Sequence, residues 1–257
     1  MSTLPPEDRF AQPVPGQVEP VPGDPLDAAA DRPPLRVVLL DVNETLSDTS
    51  ALAAAFEAAG APGHLAPVWF AGVLRDGLAL ALHGSCPRFA EVALAGARTA
   101  LAGAGVDAGR LQDASASVVD ALGSLPLHPD VVPGLQGLRD RGLRLVPFSQ
   151  GAAGTTDRLL AAGGAGDLVE GALSVADAPG GLWKPAPSTY AWALDQVGAS
   201  PAEALLVAVH PWDLDGAARA GLSTAWVDRA GGSPYPAVMA EPDLVVPGLD
   251  ALADLLR

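Results

Sequence analysis

The residues of this sequence that could carry chemistry lie in four short polar groups, which begin at Asp41, Ser149, Lys184 and His210. A carboxylate such as Asp41 can attack an electrophilic atom and form a covalent ester or acyl-phosphate, which divides one difficult displacement into two easier steps. The anionic nucleophile needs a cation to hold it and to balance its charge, and Lys184 can supply that cation. Asp41 is therefore the strongest candidate for a catalytic nucleophile.

Short hydroxyl and amide side chains in these groups could bind the oxygens of a substrate. Thr45, Ser149 and Gln150 are such donors, together with the backbone N–H groups beside them. Taken singly, each has a plain structural explanation, since Thr45 and Ser149 could cap the helices that follow them. Lys184 could likewise lie in a solvated turn. Their shared placement at the ends of predicted strands favours a common site.

Five hydrophobic runs indicate strands buried on both faces, because the runs are short, continuous and rich in Val and Leu. They are Leu35–Asp41, Leu143–Ser149, Ala204–Val209, Thr224–Asp228 and Asp243–Val246. Helices are predicted at Val131–Arg141, Thr155–Ala162, Pro187–Val197, Asp213–Ala220 and Leu249–Leu256. This alternation predicts an α/β fold, a parallel sheet with right-handed crossovers and helices on both faces. Such sheets bind ligands at the carboxyl ends of their strands, where Asp41 and Ser149 fall.

The long interval between the first two strands, residues 49–124, contains no predicted strand. Four alanine-rich amphipathic helices are predicted there instead, at Ala51–Ala59, Ala66–Leu82, Ala90–Leu101 and Leu111–Leu122. An insertion at this point would lie over the ligand edge of the sheet, where it could exclude water and shape specificity. The predicted organisation is a core of residues 35–48 and 125–257 and a helical cap of residues 49–124.

Composition limits the class of protein and of partner. Residues 1–34 are rich in proline and acidic side chains and poor in large apolar ones, which predicts a disordered tail. The net charge of −15 argues against nucleic-acid and anionic-membrane partners, because either would require a clustered basic surface. The single cysteine, Cys86, excludes an intramolecular disulfide. With no signal-peptide pattern and no apolar run near the ~20 residues needed to span a bilayer, we expect a cytoplasmic protein.

The motifs, taken in order, resemble those of the haloacid dehalogenase superfamily. Asp41-Val42-Asn43-Glu44-Thr45-Leu46 is followed by Ser149-Gln150-Gly151, by Lys184-Pro185, and by His210-Pro211-Trp212-Asp213 with Gly216-Ala217. The resemblance extends from residue 35 to the end of the chain. It implies a hydrolase with a Rossmann-like α/β core and a helical cap, in which Asp41 is the nucleophile.

Two substitutions distinguish between branches of this superfamily. In the phosphatase members, a second Asp lies two residues after the nucleophile and serves as general acid and base. Here that residue is Asn43, which cannot exchange a proton near neutral pH. They also use a pair of carboxylates in the last motif to help hold Mg²⁺, and here Val209 stands at the first of these positions. A phosphatase would have to hold Mg²⁺ with Asp41 and Asp213, with Asp215 as an uncertain substitute.

The same substitutions fit the type II, or L-2-haloacid, dehalogenases, which the chain resembles more. In that family a carboxylate displaces halide from C2 without a metal, and water then hydrolyses the ester. A halide leaves as an anion and needs no general acid. The resemblance implies a small anionic organic substrate, no cofactor and a homodimer. It assigns catalysis or substrate binding to Asp41, Asn43, Thr45, Ser149, Gln150, Lys184, Tyr190, Trp212 and Asp213.

The sequence also departs from the dehalogenase pattern. Tyr is usual where Asn43 stands, Asn where Gln150 and His210 stand, and Ser where Ala208 stands. The cap arginine that receives halide and substrate carboxylate aligns with Gly72. Arg75, three residues later, shares a helical face with position 72 and could replace that arginine. An equally acceptable explanation is a surface arginine paired with Asp76.

His210 lies at a predicted strand end, where the resemblance places an amide that positions water. Its unperturbed pKa of ~6.5 would suit a general base for ester hydrolysis, although a spacer that orients Asp213 is equally consistent. The other histidines have no comparable setting. Three functions remain open: a metal-independent haloacid dehalogenase, a Mg²⁺-dependent phosphatase, and a binding protein that has lost catalysis.

Overall fold

Six strands form one parallel sheet in the computed structural model, which describes residues 33–256 of the chain. The strand order is β3-β2-β1-β4-β5-β6. The strands are β1 (Val37–Leu40), β2 (Arg144–Ser149), β3 (Leu173–Ser174), β4 (Ala204–Ala208), β5 (Ser223–Val227) and β6 (Leu244–Val246). The five predicted strands and the α/β fold are confirmed, whereas β3, only two residues long, was not predicted. The predicted disordered tail lies almost wholly outside the described residues.

Strand register explains why distant motifs meet. The central strand β1 pairs with β2 on one side and β4 on the other, so that Leu40 lies opposite Pro147 and Val207. Because all three strands are parallel, their carboxyl ends are at the same edge of the sheet. The residues that follow Leu40, Phe148 and Ala208 are therefore brought together at this edge.

Nine α-helices flank the described part of the sheet or lie beyond its edge, close to the predicted positions. They are α1 (Leu52–Ala59), α2 (Leu65–Leu82), α3 (Phe89–Gly103), α4 (Leu111–Ala121), α5 (Val131–Asp140), α6 (Ala153–Ala162), α7 (Pro187–Val197), α8 (Pro211–Arg219) and α9 (Leu249–Leu255). Alternate residues of β1 face opposite sides, as the pleat requires. Val38 and Leu40 share a hydrophobic cluster with α5 and α9, and Val37 and Leu39 share the other with α7 and α8.

The inserted helices α1–α4 are tied to the rest of the fold by a chain of aromatic contacts. Phe70 of α2 lies 6.1 Å from Phe89, and Phe89 lies 5.9 Å from Trp183, measured between ring centroids. The indole N–H of Trp183 donates to the carbonyl of Pro87 at 2.9 Å. Since the inserted helices and the sheet share one hydrophobic cluster, their division into cap and core domains stays a prediction.

Helix α2 differs from the expectation that no apolar segment is long enough to span a bilayer. By length and composition alone it could cross a bilayer, since its 18 residues have a mean hydropathy of 1.4 and 28% of the segment is buried. A core-facing helix of a globular protein passes the same test. Phe70 and Val73 of α2 are fully packed inside the protein, so this single helix is weak evidence for a membrane span.

Candidate active site

Lys184 joins two carboxylates from different strand ends. Its Nζ donates to Asp41 Oδ1 at 3.1 Å and to Asp213 Oδ2 at 2.7 Å. Asp41, Lys184 and Asp213 are 4%, 0% and 0% exposed, so each charge has left water and depends on the others for compensation. The ammonium also lies 4.7 Å from the centroid of the Phe148 ring, which adds a cation–π contact beneath the site.

The surrounding charges hold Asp41 in its anionic form. Burial alone would raise the pKa of Asp41, but the Lys184 ammonium and hydrogen bonds from His210 and Thr45 outweigh it, so the pKa lies well below its usual range. Burial would likewise lower the pKa of Lys184, but Asp213 and Asp41 raise it above its usual value. Both groups are therefore charged at neutral pH.

Asp213, on the first turn of α8, is positioned by Tyr190 of α7. The Tyr190 hydroxyl donates to Asp213 Oδ1 at 2.6 Å and to the Asp213 carbonyl at 3.0 Å. Burial and the nearby Asp41 charge raise the pKa of Asp213, against the opposing effect of Lys184 and Tyr190. Burial and Asp213 also raise the pKa of Tyr190, which stays a neutral donor.

Thr45 connects the Asp41 carboxylate to the end of the neighbouring strand β4. Its hydroxyl donates to Asp41 Oδ2 at 2.7 Å and accepts from the Val209 N–H at 3.0 Å. The loop that carries Thr45 is also held from outside, because Arg229 donates to the Thr45 carbonyl and pairs with Asp130 at 2.7 Å. This web of hydrogen bonds fixes the direction in which the Asp41 carboxylate points.

His210 lies between two carboxylates. Its Nδ1 is 3.2 Å from Asp41 Oδ2 and its Nε2 is 2.8 Å from Glu44 Oε2. Burial would lower the pKa of His210, but the hydrogen bonds and charges of Asp41 and Glu44 raise the pKa to about 10. The imidazole is therefore a cation in the free protein. Trp212 packs against it with ring centroids 5.0 Å apart.

Ser149 and Gln150 follow β2 and have different surroundings. The Ser149 hydroxyl accepts from the Gly151 N–H at 2.9 Å. The Gln150 side chain bonds both main-chain groups of Lys184, since its Oε1 accepts from the Lys184 N–H at 3.1 Å and its Nε2 donates to the Lys184 carbonyl at 3.3 Å. Gln150 thus positions the lysine, and its amide is already occupied. The adjoining Lys184–Pro185 peptide bond is cis.

A cavity of about 220 Å³ lies beside this cluster, between the inserted helices, the loop after β1 and helix α6. Asn43 and Ser149 line it from the strand ends, and Phe89 lines it from α3. Arg158 of α6 is the one cationic side chain that lines this cavity in the described structure. Its guanidinium donates to the Thr155 hydroxyl at 3.2 Å, and within residues 33–256 it forms no ion pair.

The structure does not bring Arg75 to the other predicted site residues. Its side chain is 76% exposed and pairs with Asp76 at 2.8 Å. Arg75 and Gly72 line a separate groove of about 550 Å³ between α2 and α3, because residues three apart share a helical face. The inner face of α2 carries Phe70 and Gly77 instead, so the expectation that Arg75 replaces the missing cap arginine is not met by this geometry.

The carboxylates that a magnesium site would need are arranged for other contacts. Lys184 stands between Asp41 and Asp213, and Asp215 points away, where it pairs with Arg219 at 2.8 Å and accepts from the Ala240 N–H. Over residues 33–256, no three His, Cys, Asp or Glu side chains form a group that could hold a metal ion. Asp215 therefore does not substitute for the carboxylate missing at Val209.

Sequence reasoning missed four residues that contact the site: Glu44, His128, Arg158 and Arg229. Glu44 stands within the first motif but was given no role. His128 was treated as unremarkable, yet its Nε2 lies 3.2 Å from the Glu44 carbonyl. Arg158 could have been found from sequence, since it lies in the second turn of the helix that follows the Ser149 motif. No motif or spacing in the sequence points to Arg229.

Comparisons with known proteins agree with the motifs. The model of the haloacid dehalogenase-like hydrolase family matches residues 35–221. An (S)-2-haloacid dehalogenase of Xanthobacter autotrophicus is 30% identical over 249 residues, which cover 87% of this chain and 95% of that protein. Haloacetate dehalogenase H-2 of Moraxella sp. (strain B) is 32% identical over 128 residues, 50% of this chain and 56% of the relative. The chain thus spans about half the length of that relative.

A solved structure extends the likeness to the fold. The L-2-haloacid dehalogenase from Xanthobacter autotrophicus, with chloropropionic acid covalently bound, has a TM-score of 0.76 at 27% identity and covers 87% of this chain and 98% of its own. The superfamily resemblance and the fold expected from it are both confirmed. Since the family match includes every strand end that carries the site, the chain belongs to the haloacid dehalogenase-like hydrolase family.

Proposed function

We propose that the protein hydrolyses small 2-haloacids through a covalent ester on Asp41, without a metal ion. The observation that carries the proposal is the ion pair of Asp41 with the fully buried Lys184 at 3.1 Å, beside a cavity that Asn43 lines where a phosphatase acid would stand. The nucleophile is charged and held in place, and Asn43 cannot serve as the acid that a phosphatase has at that position. This combination suits displacement of halide at carbon.

In the first half-reaction an Asp41 oxygen bonds to C2 of the substrate. The carbon–halogen bond breaks and its electron pair leaves with the halide, so no proton is transferred. Lys184 and Thr45 orient the carboxylate for attack. Binding in this geometry lowers the barrier mainly by bringing the two reacting atoms together in line. The relative from Xanthobacter autotrophicus, solved with chloropropionic acid covalently bound, supports this step.

The substrate carboxylate needs a cation, since its charge would otherwise lie near Asp41. Arg158 is the candidate, because it lines the same cavity as Asn43 and Ser149 and has no carboxylate partner among residues 33–256. A guanidinium can bind a carboxylate through two parallel hydrogen bonds. The Ser149 hydroxyl can donate a further hydrogen bond, since it only accepts from the Gly151 N–H.

In the second half-reaction water attacks the Cγ carbon of the Asp41 ester. The bond between Cγ and the ester oxygen breaks, the carboxylate of Asp41 is restored, and the departing oxygen takes a proton to become the 2-hydroxy acid. Lys184 and Asp213 stay in place beside the ester carbonyl, where the ammonium can stabilise the developing negative charge.

Lys184 also supports a reaction without Mg²⁺. Its ammonium bonds one oxygen each of Asp41 and Asp213, the two carboxylates that a phosphatase would have to offer to the ion. The other oxygen of each carboxylate is also occupied, by Thr45 and His210 at Asp41 and by Tyr190 at Asp213, so a divalent cation bound there would have to displace these donors.

The deciding experiment measures halide and phosphate release in parallel. We expect chloride release from 2-chloropropionate that EDTA does not change and that Asp41→Asn abolishes, with no phosphate release from small phosphate esters. Chelator-sensitive phosphate release would instead establish a phosphatase. Release of neither product across broad substrate panels would leave only a binding role.

A further inference from the structure

Glu44, His210 and Asp41 form a continuous chain of side chains at the active site. His210 Nε2 lies 2.8 Å from Glu44 Oε2, and His210 Nδ1 lies 3.2 Å from Asp41 Oδ2. The imidazole is 12% exposed and the Glu44 side chain 35% exposed, so the pair reaches from the nucleophile toward solvent. The usual role of a carboxylate at one imidazole nitrogen is to fix the ring and leave the other nitrogen available for proton transfer.

Glu44 is held in this position by an unusual backbone conformation. Its φ is +64°, the only positive φ of a non-glycine residue among those described. The left-handed region is unfavourable for a side chain with a Cβ and persists where surrounding contacts impose it. Two such contacts flank Glu44, because His128 bonds the Glu44 carbonyl and Arg229 bonds the Thr45 carbonyl.

We propose that Glu44 and His210 are the acid–base pair that activates water for hydrolysis of the Asp41 ester. This inference rests on the proposed function and assigns its second half-reaction to particular atoms. Glu44 accepts the hydrogen bond from Nε2–H, and Nδ1 faces the carboxyl group of Asp41, where the ester forms. A water molecule between Nδ1 and Cγ would be placed for attack.

The charge on Asp41 decides when His210 can act as a base. In the free protein His210 faces Asp41 and Glu44, with Lys184 and Asp213 next in line and the uncharged Trp212 ring on its side. Between the two anions its pKa is raised to about 10, and it is a cation. Esterification removes the Asp41 charge, since that charge leaves as halide. His210 then keeps only Glu44 as an anionic partner and can release the Nδ1 proton.

The protons balance over this cycle. After the ester forms, Nδ1 loses one proton to solvent, which is the net proton that hydrolytic dehalogenation releases. Water then gives one proton to Nδ1 while its oxygen bonds to Cγ, and its second proton ends on the oxygen of the departing 2-hydroxy acid. The products are the Asp41 carboxylate and the His210 cation, the ion pair of the free protein. No oxidant or other reactant is needed.

The test separates the two half-reactions in His210→Asn and Glu44→Gln. Protein is mixed with excess (S)-2-chloropropionate and quenched in acid. Chloride per site reports ester formation, and mass spectrometry of the Asp41 peptide reports the fraction of ester. We expect both variants to release about one equivalent of chloride rapidly and then to accumulate ester. Hydrolysis should slow by roughly a hundredfold or more in His210→Asn and by about ten- to a hundredfold in Glu44→Gln.

Glu57→Gln, on the exposed face of α1, is the matched control and should turn over like the unchanged protein. Circular dichroism and unfolding in urea confirm that each variant is folded. Asn at position 210 keeps a polar side chain for a purely positional role, so turnover of His210→Asn at the unchanged rate would overturn the inference while the proposed function stands. The proposed function itself fails if the unchanged protein releases no chloride.

Discussion

Replacing Lys184 with Met tests the electrostatic argument for the site more directly than an activity assay. Met fills much of the same volume but carries no charge, so two buried carboxylates lose their shared cation. Asp41 keeps His210 at 3.2 Å as a cationic partner, whereas Asp213 keeps only the neutral Tyr190 hydroxyl. The unpaired charge is therefore that of Asp213, and its energetic cost depends on whether that carboxyl can take up a proton.

The expected loss of stability follows from this assignment. Removing one partner of a buried ion pair costs about 3–5 kcal/mol. In Lys184→Met the folded pKa of Asp213 rises far above its unfolded value near 3.9. Between these two pKa values the native state holds a proton that the unfolded state has lost, so the free energy of unfolding falls as pH rises, by up to about 1.4 kcal/mol per pH unit.

Urea unfolding of both proteins at pH 5, 6, 7 and 8 measures this difference. The raised pKa of His210 makes both proteins lose stability above pH ~6.5, so the two proteins are compared at each pH. We expect Lys184→Met to be close to the unchanged protein at pH 5 and about 3–5 kcal/mol less stable at pH 8.

The double variant Lys184→Met/Asp213→Asn is the control, since it removes the unpaired carboxylate together with the lysine. It should be more stable than Lys184→Met at pH 8 and show no extra pH dependence. An equal loss of stability for Lys184→Met at pH 5 and pH 8 would refute the reasoning, because a packing defect does not titrate.

Three further predictions concern packing and substrate binding. A Cβ on Gly77 would lie 2.1 Å from the Trp183 ring, whereas one on Gly72 would meet only the Arg75 guanidinium at 3.9 Å. Gly77→Ala should therefore lower the free energy of unfolding in urea by about 1–3 kcal/mol. Gly72→Ala should leave it unchanged or raise it by up to about 1 kcal/mol. Arg158→Ala should raise KM for 2-chloropropionate at least tenfold with little change in kcat, while Arg75→Ala changes neither constant. Equal effects of the two variants on KM would refute the assignment of Arg158 to the substrate carboxylate. Tyr190→Phe should lose about 1.5–3 kcal/mol of stability, because it removes a hydrogen bond to a buried charge.

Most of the fold could be predicted from sequence because its signals are local. Continuous apolar runs mark strands covered on both faces, and Val37–Leu40 is buried at every residue as such a run requires. Glycine and proline mark helix ends, and helix α7 begins and ends at the predicted residues Pro187 and Val197. Strand β3 was missed because two residues carry no periodicity. It forms only by pairing with the end of β2, a contact that depends on tertiary structure.

That the motif residues meet at one edge of the sheet could be predicted from the sequence, but the contacts of their side chains could not. Parallel strands place their carboxyl ends at one edge, so the meeting of Asp41 with Asp213 follows from topology. Spacing alone cannot say which side chain faces which cavity. Gly72 and Arg75 were correctly placed on one face of α2, yet that face is turned away from Asp41. Glu44 was passed over because its role depends on a left-handed backbone conformation that no sequence pattern for Glu indicates.

Two departures from the dehalogenase pattern, at His210 and in helix α2, are explained by their surroundings in the structure. His210 stands where the pattern has an amide, and its second nitrogen is bonded to Glu44. The Glu44 carboxylate adds a hydrogen bond at Nε2 to the contacts that the imidazole makes with Asp41 and Trp212. His210, at 2.8 Å, is also the nearer partner of the Glu44 carboxylate, whose other contact is the Thr49 hydroxyl at 3.5 Å. The two residues therefore form one unit, and replacing His210 by the amide typical of the pattern removes the imidazole contact and leaves Glu44 with the more distant Thr49 hydroxyl. The cationic groups follow the same logic, since Arg158 of α6 lines the cavity beside the site, to which α2 contributes no residue.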